Sequence, residues 1–255
     1  CARDLQFNYA ERTLGYRLGG RVIFFPEYCW GVAKEPIADS RPQDPGRTIR
    51  CVQAGNFGIE KLGEGDWGYA RIAEKLIAAK VRLDLYPNWI YAGSSEREFT
   101  KIFSDYIELG RQSKFFELHR PLKADELVER LSDSDFGVNI IWSEVAGLPS
   151  QSFNATFHRY CMSARVFDYL DAGLPVVLSK SHRLVHAMLR RYRVGIEADA
   201  DFMEHIQERL RPLATVEMRC RAVKASRGLA IERHIHRLER FYVQVANDVG
   251  ISIRS

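Results

Sequence analysis

Ser163-Ala164-Arg165-Val166-Phe167-Asp168-Tyr169-Leu170-Asp171-Ala172-Gly173-Leu174-Pro175-Val176-Val177 contains a helix, its stop signal and the strand that follows. A helix begins near Ser163. Gly173 ends it as a C′ glycine, and Pro175 opens a short apolar run that reads as a buried strand. Helix, tight glycine stop and buried strand in immediate succession are the repeating unit of an α/β domain.

The same alternation extends in both directions. Strand-like runs occupy residues 21–25, 49–54, 81–86, 115–119, 136–142, 175–179 and 194–197. Several are nearly continuous in apolar residues, as expected of parallel strands buried on both faces. Helical spacing separates them: Trp67, Ala70, Ala73, Leu76 and Ile77 share one face, Phe99, Ile102, Phe103, Tyr106 and Ile107 another, and Leu127, Val128 and Leu131 a third. The predicted fold is α/β, a doubly wound parallel sheet with right-handed crossovers and ligands bound beyond the carboxyl ends of the strands.

The ends differ from the middle. Residues 3–18 read as a lone helix. Pro26, Pro36, Pro42, Pro45 and Gly46 make residues 27–47 a long connector rather than a packed element. After about residue 199 the strands stop and helices follow, the last over about 231–247, with Ile235, Leu238, Phe241, Tyr242 and Val245 on one side.

Composition excludes several classes of function. The chain has 255 residues, 46% hydrophobic, 11% aromatic and 27% charged, which is enough apolar material for a full core and excludes intrinsic disorder. Lys and Arg number 37 against 33 Asp and Glu, a net charge of +4. So small and dispersed a surplus does not predict a nucleic-acid partner, and it suits a local pocket for an anionic small molecule. The 5 cysteines are odd in number and never form a CxxC pair, so no zinc or thioredoxin-type site is read and a reducing, cytoplasmic setting is expected. No apolar run approaches the roughly 20 residues needed to cross a bilayer.

Two constellations can carry chemistry. In Val52-Gln53-Ala54-Gly55-Asn56-Phe57, followed by Lys61, a strand ends in glycine before a loop and a helix. Such a turn brings backbone N–H groups close to a phosphate while a lysine supplies countercharge, although neither the GxxxxGK[ST] nor the GxGxxG spacing is present. Taken alone it is a tight turn with a solvated lysine. The second constellation is the opening stretch itself. Arg165 and Asp168 lie three apart on one helix face, and that helix offers the positive end of its dipole to phosphate while the carboxylate can accept from a vicinal diol.

Ser163–Val177 resembles the "K-x-x-E-Y-L-A-A-G-x-P-V-V" segment in the carboxy-terminal domain of GT-B-fold glycosyltransferases, the large retaining, family-4-like group that uses nucleotide sugars. Gly55–Lys61 is similar to that family's "G-R-L-x-x-x-K" loop. Leu127–Asp135 with Phe136–Ile141 is similar to its "e-l-x-x-x-l-x-x-a-D-v-x-v" helix and strand, and Phe115–Leu122 occupies the place of its base-binding strand and loop. These matches fall in the family's order over about residues 48–180. The resemblance implies that Lys61 neutralises the donor diphosphate, that Asp168 binds the ribose hydroxyls, and that Arg165 is the basic residue of the same helix. It also implies that backbone N–H groups around Ser163 and Ala164 cradle the diphosphate beside Gly55 and Asn56, and that Leu122 lies against the base. No metal or other cofactor is implied. Asn56 stands where the family has an arginine, Tyr160 where it has a first glutamate, and Arg120 where it has a glycine.

The resemblance further implies a division of the chain. Residues 1–20 are the last helix of an amino-terminal half, 21–228 the nucleotide-sugar-binding domain, and 229–255 a helix returning to the missing half. The chain, which opens on Cys1, is accordingly read as a piece of a longer protein whose uncovered apolar face can drive self-association. Two other readings stay open: a catalytically silent domain that binds a nucleotide or a partner, and a sugar-nucleotide epimerase of the same fold. Among the remaining features, Arg190-Arg191-Tyr192-Arg193 reads as a helix C-terminal cluster, with peripheral contact to an anionic membrane as the alternative. His182 and His186, and His234 and His236, lack a third ligand and read as packing residues, while His158 precedes the Asp168 helix and can approach a donor. Trp30, Trp67, Trp89 and Trp142 read as core or rim aromatics.

Overall fold

The computed structural model describes residues 23, 25, 28–35, 46–55, 69–91, 93–147 and 155–248. Its strands are β1 (Arg50–Gly55), β2 (Arg82–Pro87), β3 (Phe116–Leu118), β4 (Phe136–Asn139), β5 (Val176–Ser179) and β6 (Gly195–Ala198). Among the described residues they form a single sheet in the order β3-β2-β1-β4-β5-β6, with every neighbouring pair parallel. The doubly wound parallel sheet expected from the sequence is therefore present. The strand order reverses between β1 and β4, the switch point at which such sheets open a ligand crevice.

Helices cover both faces: α1 (Tyr69–Ala78), α2 (Glu96–Ile102), α3 (Ser104–Gln112), α4 (Ala124–Leu131), α5 (Trp142–Val145), α6 (Ala155–Tyr160), α7 (Ala164–Asp171), α8 (Arg183–Leu189), α9 (Ala200–Glu204), α10 (Ile206–Leu210), α11 (Val216–Gly228) and α12 (Ile235–Asp248). Strand side chains alternate between two apolar layers. Cys51, Leu83, Leu85 and Val138 join Ile72, Leu76, Phe99 and Phe103 on one side; Val52, Ala54, Val176 and Leu178 join Val166, Leu170, Val185 and Ala222 on the other. β4 and β5 are buried along their whole length, which is why they read as apolar runs rather than alternations, whereas the edge strands β3 and β6 expose Glu117 and Glu197.

The stretch that opened the reading forms α7 and β5, and its glycine acts as expected. Gly173 has φ +70°, its N–H reaches the Leu170 carbonyl at 2.9 Å, and the Leu174 N–H reaches the Tyr169 carbonyl at 2.8 Å. These paired bonds make a Schellman stop that turns the chain into β5.

Several expectations need correction. The helix read across Phe99–Ile107 is two helices, because Phe103 leaves helical geometry at φ −110° and ψ 22° and turns its buried ring into the core. The run 136–142 is a strand only to Asn139. The Ile141 N–H then donates to the Ser179 hydroxyl at 2.7 Å instead of to a ladder carbonyl, and α5 begins. Ile140 and Ile141 are buried, so hydrophobicity alone could not mark that end. The described part of the connector, 28–35, is packed rather than loose. Asp171 accepts from the backbone N–H groups of Trp30 at 2.7 Å and Gly31 at 3.1 Å and from the Ser226 hydroxyl, while Cys29 forms a parallel bridge with Ala230. Trp30 and Trp89 are 70% and 64% exposed, so neither is a core residue. The expected strand at 21–25 falls largely, and the helix at 3–18 wholly, outside the described residues.

Candidate functional site

The crevice at the switch point is built by a tyrosine. β1 and β4 pair only through Cys51–Phe136 and Val52–Gly137. Beyond that point the Ala54 N–H donates to the Tyr169 hydroxyl at 3.0 Å, and the hydroxyl has the Val138 carbonyl at 3.2 Å and the Gln53 amide oxygen at 3.3 Å as acceptors. Tyr169 thus takes ladder positions that the two strands would otherwise share, and it parts their carboxyl ends. Gly137 makes room for it, since a Cβ there would sit 2.3 Å from the tyrosine ring.

The same turn of α7 presents Arg165 and Asp168, whose guanidinium and carboxylate meet at 2.6 Å. Arg165 lies across the end of β1. A Cβ on Gly55, which has φ +108°, would stand 2.9 Å from Arg165 Nε. Only glycine permits both that backbone conformation and that approach. Ser163 caps α7 by position, but its hydroxyl makes no capping bond, so the first-turn N–H groups gain no side-chain acceptor. Burial pushes the Asp168 carboxyl above the ordinary carboxylate range and Asp171 adds to this, while Arg165 offsets part of it. Asp168 is thus a half-buried carboxylate held against the Arg165 guanidinium near the start of α7.

Gly55, Ser163, Ala164, Arg165 and Asp168 therefore come together. Leu122, half-buried in the loop before α4, packs against the apolar layer that holds Ala54 and Val166 and borders a cavity of about 410 Å³ that also takes in Tyr86, His119 and Arg120. Asn56 and Lys61 lie outside the described residues.

Two groups of residues escaped the sequence reading. The first sits on β2 and β3. The buried Asp84 carboxylate receives Arg82 Nη2 at 2.8 Å, Arg50 Nη2 at 3.1 Å and His119 Nε2 at 2.9 Å, and Arg82 also pairs with Glu117. Burial alone would raise the Asp84 carboxyl, but His119, Arg82 and Arg50 together hold it well below the usual carboxylate range. Asp84, Glu117 and His119 have ligand atoms within 4.8 Å of one another. With two guanidiniums already on Asp84, the group is arranged as an ion-pair hub. The signal was the alternation in Arg82-Leu83-Asp84-Leu85, which puts both charged residues on one face.

The second group lies beyond β4 and β5. The Ser181 N–H donates to Glu144 Oε1 at 2.7 Å, and the His158 and His182 rings stand edge to face at 5.6 Å. Asn139 Nδ2, Glu144 Oε2, Ser181 Oγ and both ring nitrogens of His182 are buried without hydrogen-bond partners among the described residues. Burial, reinforced by His158 and His186, pulls the His182 imidazole down to about 3, so the ring is neutral. These residues are 43 positions apart at the extremes, and no local pattern joins them.

No family model matches the sequence, and no curated protein matches it. Solved structures do match by fold. Anabaena HepE in complex with UDP and glucose aligns with 98% of this chain and 67% of its own, at TM-score 0.50 and 13% identity. The α,α-trehalose-phosphate synthase (UDP-forming) from Burkholderia vietnamiensis aligns with 79% of this chain at TM-score 0.48 and 10% identity, and an O-GlcNAc transferase mutant from Thermobaculum terrenum with 85% at 0.38 and 14%. The chain spans about half the length of that synthase, 45% of it. These neighbours are GT-B glycosyltransferases, and the chain has the fold of one Rossmann-like half of them. Among the described residues no helix is long and apolar enough to cross a membrane.

Proposed function

We propose that this chain is the donor-binding half of a glycosyltransferase and holds a nucleoside diphosphate sugar for transfer to an acceptor. One observation carries the reading: Arg165, the open first turn of α7 and Asp168 converge on the glycine end of β1, at the point where the sheet parts. Cation and helix N-terminus suit a diphosphate, and a carboxylate one turn further suits ribose hydroxyls. Lys61, which follows β1 and Asn56 in sequence, supplies a second countercharge, and Leu122 bounds the base. In the transfer step these groups stabilise the negative charge that grows on the departing diphosphate, without themselves moving a proton. The substrate is anionic, and the acceptor and any acid or base belong to a facing half of the protein.

A silent nucleotide-binding domain is the second reading. It is favoured by Tyr160, a half-buried tyrosine at the end of α6 in place of an acid.

Thermal shift with UDP, GDP, ADP, CMP and dTDP, with and without EDTA, tests the donor reading. A ligand at 100 times its Kd adds about 2.7 kcal/mol, and for a chain of this size that raises Tm by very roughly 5–10 °C. One diphosphate should shift Tm in this way, and Arg165→Ala should weaken its binding about 10- to 100-fold, the range of a charge-assisted hydrogen bond. Absence of any shift, or full affinity in the variant, overturns the donor site. Turnover of a nucleotide sugar by the protein together with its facing half excludes the silent domain.

A further inference from the structure

We propose that Tyr169 is a positioning residue of the donor site: its hydroxyl replaces one rung of the sheet and so sets where Arg165 and the first turn of α7 stand over the end of β1. This rests on the donor reading above and adds to it what holds the crevice in shape.

The parallel register identifies the missing rung. Val52 faces Gly137, so the next step would set Gln53 against Val138 and send the Ala54 N–H into the Val138 carbonyl. Both groups meet the Tyr169 hydroxyl instead, which accepts from the Ala54 N–H at 3.0 Å and donates toward the Val138 carbonyl at 3.2 Å. Neither strand has ended at that point. β1 stays paired with β2 as far as Gly55 and Pro87, and β4 stays paired with β5 as far as Asn139 and Leu178. Two regular strands are therefore held apart by one hydroxyl, inserted between a donor and an acceptor that match each other.

The insertion reaches the site through the helix. Arg165 precedes Tyr169 by four residues, on the same face of α7 and one turn nearer its amino terminus. Anchoring the phenol between the strands fixes the height of that turn, and Arg165 then crosses Gly55 so closely that a Cβ there would stand 2.9 Å from its Nε. Burial pushes the phenol above its ordinary range, so the hydroxyl keeps the proton it donates. Without that hydroxyl the Ala54 N–H and the Val138 carbonyl would be buried and unbonded, a costly state that the strands relieve by bonding to each other. A closed rung leaves no width for a ring over Gly137. The side chain backs out, and the first turn of α7 moves off Gly55 with it.

Tyr169→Phe keeps the ring and removes the rung. Affinities for UDP, GDP, ADP, CMP and dTDP are compared by calorimetry in the wild type, Tyr169→Phe, Arg165→Ala and the double variant, each checked for folding by circular dichroism. A nucleotide that binds the wild type should bind Tyr169→Phe about tenfold more weakly, and adding Arg165→Ala to that background should cost less than about threefold, because the guanidinium has already left its place. A tyrosine that serves stability alone would leave the two losses independent, and they would multiply. Ligand-free wild-type protein gives a second readout by NMR. The Tyr169 hydroxyl proton should show cross-relaxation with the Ala54 N–H, and no coupling should pass from the Ala54 nitrogen to the Val138 carbonyl; in Tyr169→Phe that coupling should appear. Unchanged affinity in Tyr169→Phe, multiplying losses in the double variant, or a direct Ala54–Val138 coupling in the wild type overturns the inference, the last even where the variant does not fold. If none of the nucleotides binds the wild type, the donor reading falls and this inference with it; if one binds and Tyr169→Phe binds it equally, the donor reading stands and only this inference falls.

Discussion

The two wings of the sheet handle buried polarity in opposite ways. On the β2–β3 wing, Asp84 is surrounded by Arg50, Arg82 and His119, and at the foot of β4 Asp135 holds Arg47 at 2.7 Å and the Arg50 N–H at 2.9 Å. On the β4–β5 wing, Asn139 Nδ2, Glu144 Oε2, Ser181 Oγ and both ring nitrogens of His182 have no hydrogen-bond partner among the described residues. In the first arrangement every charge faces a counter-charge, and Arg50 Nε is its buried atom left without a hydrogen bond among the described residues. The second is incomplete, and an incomplete polar site at the carboxyl ends of parallel strands is where a ligand group can supply what the protein does not.

The comparison breaks most visibly at Asp84. Asp84→Ala leaves two guanidiniums and His119 without their shared carboxylate, and since Arg50 and Arg82 are 38% and 29% exposed the cost is about 1–3 kcal/mol, below that of a fully buried pair. Urea denaturation should show a loss of that size. A loss below about 1 kcal/mol would mean that the hub is a solvated surface network and the contrast between the wings is false.

Acid separates the wings by pH. His182 has a folded value of about 3 against an ordinary 6.5, because burial disfavours its charged form. The unfolded chain therefore takes up a proton below pH 6.5 that the folded chain refuses, and stability falls with pH down to about 3, at no more than about 1.4 kcal/mol per pH unit. Asp84 acts lower. Its carboxyl is depressed when folded, so its contribution is intact above the ordinary carboxylate value near 3.8 and is lost as pH falls through its folded value. Between pH 6.5 and 5 the wild type should lose about 1–2 kcal/mol that His182→Leu retains, measured by denaturation at each pH. Identical slopes in the two proteins would show that His182 is hydrated enough to titrate normally.

Much of the fold was legible because doubly wound parallel strands advertise themselves. Val176-Val177-Leu178 and Leu83–Leu85 sit between layers, and the Gly173-Leu174-Pro175 stop could be placed to the residue. What stayed hidden depended on contacts distant in sequence. The break at Phe103 and the end of β4 at Asn139 are decided by a ring turning inward and by Ser179, neither of which changes local hydrophobicity. The site divides likewise. Arg165 with Asp168 is an i, i+3 pair that any helix would assemble, whereas Glu144 meets Ser181 only because β4 and β5 are neighbours. The Tyr169 wedge between β1 and β4 was also invisible: its residue type fits a buried helix face, and only the pairing of Gly137 with Val52 shows that a strand has been parted.

The smallest effect sharpens the contrast most. Replacing a well-satisfied buried polar group with a hydrocarbon is costly, whereas replacing an unsatisfied one is nearly free, since the unbonded atoms were already a loss. His182→Leu should therefore change the stability of the ligand-free protein by less than about 1 kcal/mol, and in the stabilising direction, because the leucine keeps the packing near His158 and removes two unbonded nitrogens. Asp84→Leu, an equally apolar replacement, should be destabilising because Arg50 and Arg82 remain charged behind it. The opposite signs of these two leucine substitutions, read by chemical denaturation at pH 7, measure the difference between the wings directly. A destabilisation by His182→Leu as large as that by Asp84→Leu would show that the imidazole is already satisfied within the folded chain, and the β4–β5 wing would then be architecture like the other.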